Sequence, residues 1–234
     1  QIPDNLGKTV GDNLFHSFAE FSLQSDQSAT FTGPDAIQNI LGRVTGSKVS
    51  KIDGLIKSEI TGANLYLLNP KGFLFGENAK VDVDGAFTVS ARESIKLGEE
   101  GSFNALNPDQ SVFVSAAPEA FGFLGDNPGG GITFQGSRIV TGGGIGLVGG
   151  LVELDKARVS SVGESVSGDI TVESGLLTIR EGQLRTEATA SGNSGAISVT
   201  VSGDVLIEDL SDPAETGAGL DRGEFIESIR NKDQ

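Results

Sequence analysis

The chain has no cysteine, no methionine and no tryptophan, and only one tyrosine and one histidine. Without cysteine there is neither a disulfide frame nor a thiolate metal site. Without methionine the sequence does not open on an initiator residue, and Gln1 is expected to follow a removed signal peptide. A lone histidine, His16, supplies neither a triad nor a metal cluster. No apolar run approaches the ~18–20 residues that cross a bilayer as a helix, so no stable membrane insertion is expected. Proline is scarce, 7 of 234 residues, whereas glycine contributes 34. That glycine share is about twice the average and points to many tight turns rather than to a proline-rich linker. Basic residues are outnumbered 17 to 32, for a net charge of −15. Nucleic acid and anionic lipid need a basic footprint and are disfavoured as partners.

What is present is a succession of short runs rich in Val, Ile, Leu, Phe and Thr, separated by Gly, Asn, Asp or Ser. They include Ala29 to Thr32, Leu65 to Leu68, Lys80 to Val83, Phe87 to Ser90, Val112 to Ser115, Ile132 to Phe134, Leu151 to Leu154, Ile170 to Val172, Leu177 to Ile179, Ile197 to Val201 and Val205 to Ile207. Helix-period runs are few: Ala36 to Leu41 reads as one short turn and Arg222 to Arg230 as another. The chain therefore reads as all-β. In the second half "SGDITVESG" at Ser167 to Gly175 aligns with "SGAISVTVSG" at Ser194 to Gly203, Gly168 and Gly195 being 27 residues apart. A unit of that length with two or three short strands and no helix fits one coil of a parallel β-helix better than a propeller blade of ~40–50 residues. The first ~110 residues show no visible repeat and are denser in Phe, as expected of a capping segment, since an uncapped solenoid end exposes unpaired strands. Residues 208–234 hold eight acidic and three basic residues and read as a loop or disordered tail. The expected organisation is a β-helix domain over 1–207, with a cap and motif-rich part at 1–110 and regular coils at 111–207.

The stretch "NLYLLNPKGFLFG", Asn64 to Gly76, sets two fully apolar runs on either side of Asn69-Pro70-Lys71-Gly72. Asn and Pro favour the opening of a tight turn and Gly tolerates the positive φ that often closes one. Continuous apolar runs suit strands buried on both faces. The tetrapeptide is thus expected at a coil corner.

Five motifs occur in order: "NLFHSFAEFSL" (Asn13 to Leu23), "ATFTGP" (Ala29 to Pro34), "NILGRVTG" (Asn39 to Gly46), "SKIDGLI" (Ser50 to Ile56) and "GANLYLLNPKGFLFGENAKVDVDGAFTVSA" (Gly62 to Ala91). Together they resemble the two-partner-secretion domain, the filamentous-haemagglutinin-type N-terminal domain of large exoproteins of Gram-negative bacteria, in the style of its cyanobacterial and haemolysin-like branch. The resemblance implies a right-handed parallel β-helix with an N-terminal β cap and extra-helical strands. It implies export to the periplasm, recognition there by the POTRA domains of a dedicated outer-membrane β-barrel partner, and coil-by-coil folding at the cell surface. Asn69, Pro70 and Gly72 match the family's second Asn-Pro motif. The first Asn-Pro motif of the haemagglutinin branch has no match, and its neighbourhood carries "NLFHSF" instead. On this basis Asn13, Leu14, Phe15, His16, Phe18, Asn69, Pro70 and Gly72 are the expected transporter-recognition or secretion residues. Phe15 and Phe18 are expected to pack into the cap. In the unfolded chain the exposed segment would be free to add a strand to a sheet edge of the partner.

Other patterns carry less. Asp82 and Asp84 in "VDVDG" share one strand face, and two aspartates fall short of the about six to eight oxygens that calcium takes. "GIGLVG", Gly144 to Gly149, matches G-x-G-x-x-G, but the β-branched "GLVELDKARVSSV" region that follows is no helix, so the dinucleotide reading fails. Asn64, Asn69, Asn78 and Asn104 are candidates for stacked polar ladders at coil corners. A carbohydrate-active β-helix enzyme would need acids clustered with Arg, yet Arg43, Arg92, Arg138, Arg158, Arg180 and Arg185 are scattered. A glycan-binding adhesion module would use the Trp and Tyr that are scarce here. The expected function is secretion targeting of an exoprotein, without catalysis, metal or cofactor, acting as a monomer whose partner is the transporter.

Overall fold

Alternating side chains in short strands need one face buried, and here the strands bury it against one another around a common axis. The computed structural model of the chain describes residues 1–122 and 129–208. The acidic stretch after Glu208, with its helix-period run Arg222 to Arg230, lies outside the described residues. The described residues form a parallel β-solenoid with three faces. The first face stacks Asn13–Phe18, Asn39–Val44, Asn64–Leu68, Phe87–Ser90, the first part of Ile145–Asp155, the first part of Ile170–Arg180, and Ile197–Val201. The second stacks Ser50–Ile52, Phe73–Phe75, Gly131–Gln135, the later parts of the same two long strands, and Val205–Glu208. The third runs through Ile2–Pro3, Ser28–Thr32, Leu55–Ser58 and Lys80–Asp82, then Arg138–Thr141, Arg158–Gly163 and Gln183–Ala188.

Parallel in-register pairing puts like residues above one another, about 4.8 Å apart. Leu14, Ile40, Leu65, Phe87, Ile145, Ile170 and Ile197 form one interior column on the first face. Phe75, Phe134, Leu154 and Ile179 form another on the second. The N-terminal end is closed by Lys8–Val10, which pairs antiparallel with the first coil at Asn13 to Phe15. Between the fourth coil's Ser90 and Gly131 the chain leaves the solenoid. It builds a separate three-stranded antiparallel sheet from Ser94–Leu97, Gly101–Asn104 and Pro118–Gly122, with Ser94–Leu97 in the middle.

That extra-helical sheet lies over the outside of the first coils. Ile95, Leu97 and Phe103 meet the outward side chains Phe15, Leu41 and Leu68 in a second apolar cluster, flanked by Tyr66, Phe113 and Phe121. The double burial of Asn39–Val44, all six residues of which are buried, follows from this cover.

Arg43 and three asparagines tie the layers together. Arg43, 6 % exposed, donates from Nε to Ser17 Oγ (2.8 Å) and from Nη1 to Asn104 O (2.6 Å) and Ser111 Oγ (2.6 Å). Its guanidinium also lies 4.7 Å from the Phe103 ring centre. Asn13, Asn39 and Asn64 form a ladder across three turns. Asn39 Nδ2 donates to Asn13 Oδ1 (2.9 Å), Asn64 Nδ2 to Asn39 Oδ1 (3.1 Å), and the Ala86 amide to Asn64 Oδ1 (2.9 Å). Asn13 Nδ2 continues the line outward to the carbonyls of Val114 (3.0 Å) and Ala116 (2.7 Å).

Three expectations are corrected. Ala36 to Leu41 is not a helical turn but a turn followed by strand Asn39–Val44, because pairing with both neighbouring coils overrides the local periodicity. Val112 to Ser115 is not a strand. Only Val112 bridges to Ser102, and the carbonyl of Val114 is taken by the Asn13 side chain. The first 90 residues do repeat: the Asn-led strands at Asn13, Asn39 and Asn64 lie one coil apart. Of the asparagines expected in ladders, Asn64 takes part. Asn78 instead donates from its amide and Nδ2 to Asp53 (3.0 and 3.1 Å), and Asn104 Oδ1 accepts from the Asn107 amide (2.8 Å).

The aromatic column gives a stability test. Phe134 is 1 % exposed and stacks on Phe75 with ring centres 4.7 Å apart. Phe134→Ala is expected to cost about 3–5 kcal/mol in urea unfolding, the usual toll of a buried Phe cavity.

Candidate functional site

Asn13–Phe18 is the first coil's strand, and its alternation sorts its residues between two environments. Leu14 and His16 point inward, whereas Asn13 and Phe15 lie beneath the extra-helical segment. Asn13, Leu14, Phe15 and His16 are all buried, and Phe18 is half-buried. Phe15 packs against Phe103 (5.2 Å between ring centres) and Phe113 (4.7 Å). Phe18 turns the other way and meets Phe21 at 5.1 Å. The two rings expected together in a cap are therefore divided between the solenoid interior and its outer cover.

His16 sits among Phe18 and Phe31, ring centres 6.0 and 5.6 Å away, and its Nε2 has no hydrogen-bond partner. Burial lowers its pKa from the ordinary value, with Asp4 opposing the shift. Desolvation thus disfavours the charged imidazolium, and Asp4 favours it.

Asn69-Pro70-Lys71-Gly72 is the corner between the first and second faces of the third coil. Asn69 is fully buried and satisfies both ends of its amide. Nδ2 donates to Lys48 O (3.0 Å) and Ser50 Oγ (2.9 Å), and Oδ1 accepts from the Lys71 amide (2.9 Å). The Gly72 amide closes the turn on Asn69 O at 2.8 Å. Gly72 has φ +96°, and a Cβ there would fall 2.2 Å from the Gly131 carbonyl oxygen of the next coil, so only glycine fits. The Gly130 amide donates to Pro70 O at 3.1 Å, so the corner is stacked as well as turned. Lys71 alone of the four is exposed.

The two motifs do not meet in one site. They lie two turns apart, one on the first face and the other at its corner with the second, linked through the apolar layer of Phe15, Leu41 and Leu68. Sequence reasoning missed Asn39, Arg43, Ser50 and Ser111 as partners. The recurrence of an Asn followed by an apolar residue at Asn13, Asn39 and Asn64 was the available signal for the first. Nothing local announces Arg43, whose partners lie 26, 61 and 68 residues away.

The remaining candidates resolve simply. Val81 and Val83 are buried while Asp82 and Asp84 are exposed, and Asp82 pairs with Lys57 at 2.9 Å. Gly144 to Gly149 leads into strand Ile145–Asp155, not a helix. Among the described residues no group of three or more His, Asp or Glu is placed to hold a metal. Arg180 bridges Glu153 (2.9 Å) and Glu208 (3.1 Å) at the surface. An open groove of about 350 Å³ runs beside Thr88, Gly146, Thr171, Glu119 and Phe121. Of its carboxylates, Asp169 is engaged by the Ala196 amide at 2.8 Å.

Because its folded-state pKa is lowered, His16 favours folding fully above its unfolded value and progressively less as pH falls through it. The urea midpoint is expected to drop between about pH 7.5 and pH 5.5, and His16→Gln to flatten that slope. An equal slope in both proteins would contradict the assignment.

A family model described as TPS secretion domain matches residues 3–219. The Heme/hemopexin-binding protein of Haemophilus influenzae is 29% identical over 84 residues, which are 36% of this chain and 9% of that protein. The match thus spans a small part of the relative's length. A solenoid with a capped start, an extra-helical sheet and a stacked Asn-Pro corner, matched by that model over most of its length, places the chain in the TPS secretion domain family.

Proposed function

We propose that the chain acts as the secretion-targeting part of a larger exoprotein, recognised in the periplasm by POTRA domains of a dedicated outer-membrane β-barrel transporter. Membership in the family makes it a secretion domain, bound for the cell surface or the extracellular space. Recognition takes place while the segment is unfolded or partly folded, and the folded coils then nucleate the solenoid outward, coil by coil. No catalytic step is assigned to it.

One observation carries the timing. Of the eight residues expected to be read, Asn13, Leu14, Phe15, His16, Asn69, Pro70 and Gly72 are buried and Phe18 is half-buried. A partner meeting the finished solenoid reaches almost none of them. A partner meeting the chain before the coils close reaches all of them, as an extended apolar segment able to add to a sheet edge. Most pairings in this fold join residues a whole coil apart, and such non-local contacts form slowly, which leaves an interval for recognition.

The test is binding of the chain to the isolated POTRA domains by calorimetry, with the chain folded and in dilute urea. Affinity is expected to rise as the chain loosens. Absence of binding in both states, with an intact β spectrum in buffer, would contradict the proposal.

A further inference from the structure

The outward row of the first face changes character along the stack. Its central positions read Phe15, Leu41, Tyr66 and then Thr88, Gly146, Thr171, Ser198. The apolar part stops after the third turn. This apolar part is the solenoid's side of the outer cluster, to which Phe15, Leu41 and Leu68 belong with Tyr66 beside them. The cover, residues 94–116, follows the strands it protects in the chain. Whenever residues 13–90 are ordered before residues 94–116 arrive, an apolar row stands open.

The cover is also built to come away as a unit. Its two strands, Ser94–Leu97 and Gly101–Asn104, pair with each other and with Pro118–Gly122 in a sheet that shares no ladder with the solenoid. Its polar contacts with the solenoid include the two Asn13 bonds to Val114 and Ala116, the Arg43 bonds to Asn104 and Ser111, and the Lys8 ammonium 4.7 Å from the Phe113 ring centre. We propose that the row Phe15, Leu41 and Tyr66, with Leu68, is the surface by which the transporter's periplasmic domain holds the chain, and that docking of residues 94–116 on the row releases it. The inference rests on the transporter-recognition reading above. The extra-helical sheet itself shows what fits there: a β element laid against the row that presents Ile95, Leu97 and Phe103, with an aromatic, Phe113, edge-on to Phe15. The partner surface is therefore a β-rich domain offering two or three apolar side chains on one strand pair.

Phe113→Ser loosens the cover without altering a solenoid residue, and Arg43→Met does so from the other side. Hydrogen exchange reports whether residues 94–116 open while Ile145–Asp155 and Ile170–Arg180 stay protected. Binding of each full chain to the isolated POTRA domains is then compared. The expected result is opening of 94–116 with about fivefold tighter binding, reversed when Leu41→Ser or the milder Tyr66→Ser is added. Opening without a gain in affinity, a gain that survives the polar row, or a cover that stays protected in both variants each overturns the proposal. Wild-type chain in dilute urea separates the two levels. If it does not bind, the recognition reading itself fails. If it binds as well with Leu41→Ser as without, that reading stands and the apolar row is not the surface.

Discussion

The guanidinium of Arg43 is where the two layers of this molecule are joined. It reaches back to the first coil at Ser17 and outward to Asn104 and Ser111, beneath the Phe103 ring. Burial pushes its pKa down and Asp109 opposes the shift. Deleting a partner so that a buried polar group is left unsatisfied costs about 1–3 kcal/mol, and more for a charged one, so the contact couples the strand that carries Arg43 to the segment that receives it. The apolar contacts and the cost of ordering the segment are of similar size. Ordering a segment of roughly twenty residues costs about 1–2 kcal/mol per residue, against about 1.5–3 kcal/mol for each large apolar side chain covered. The cover is therefore held by its own sheet, by Arg43 and by Asn13 together.

The first three coils are consequently a different material from the later ones. Their outward row is apolar and roofed, and their asparagines bond along the stack. From Thr88 onward the same row is hydroxyl or glycine, and the corners pass to glycine. Gly150, Gly175 and Gly203 lie above one another, each so close that a Cβ on the later residue would come within 2.7 Å of the earlier carbonyl oxygen. The Asn-Pro corner is the stiffer solution to the same bend, with Asn69 replacing backbone partners that the turn leaves unpaired. A secretion domain with this division has its distinctive side chains concentrated in the part of the chain that is made first.

How much of this the sequence disclosed depended on range. The period-2 runs gave the strands Phe87–Ser90 and Ile197–Val201 to the residue, because the apolar side chains there alternate with Thr and Ser within each strand. Short glycine-led units in the second half gave the coil length. The turn at Asn69 was legible from local chemistry. Ala36 to Leu41 reads as a helical turn from local period alone, since the burial of Asn39–Val44 on both sides comes from segments 26 and more residues away. The cover was invisible for the same reason: Phe103 and Phe113 look like any core aromatics, and only the fold says which side of the sheet they occupy. For Asn13, His16 and Asn69 the sequence does not disclose burial, since the segments that cover them come from elsewhere in the chain.

The central claim is that Arg43 couples the extra-helical segment to the first coils, and a double-mutant cycle measures it directly. Arg43→Met, Ser111→Ala and the double variant would be unfolded in urea alongside the wild type. The account predicts a coupling of about 1 kcal/mol or more, within the range for residues sharing one hydrogen-bond network. Additivity within about 0.3 kcal/mol would mean that the contact does not join the layers, and would contradict it.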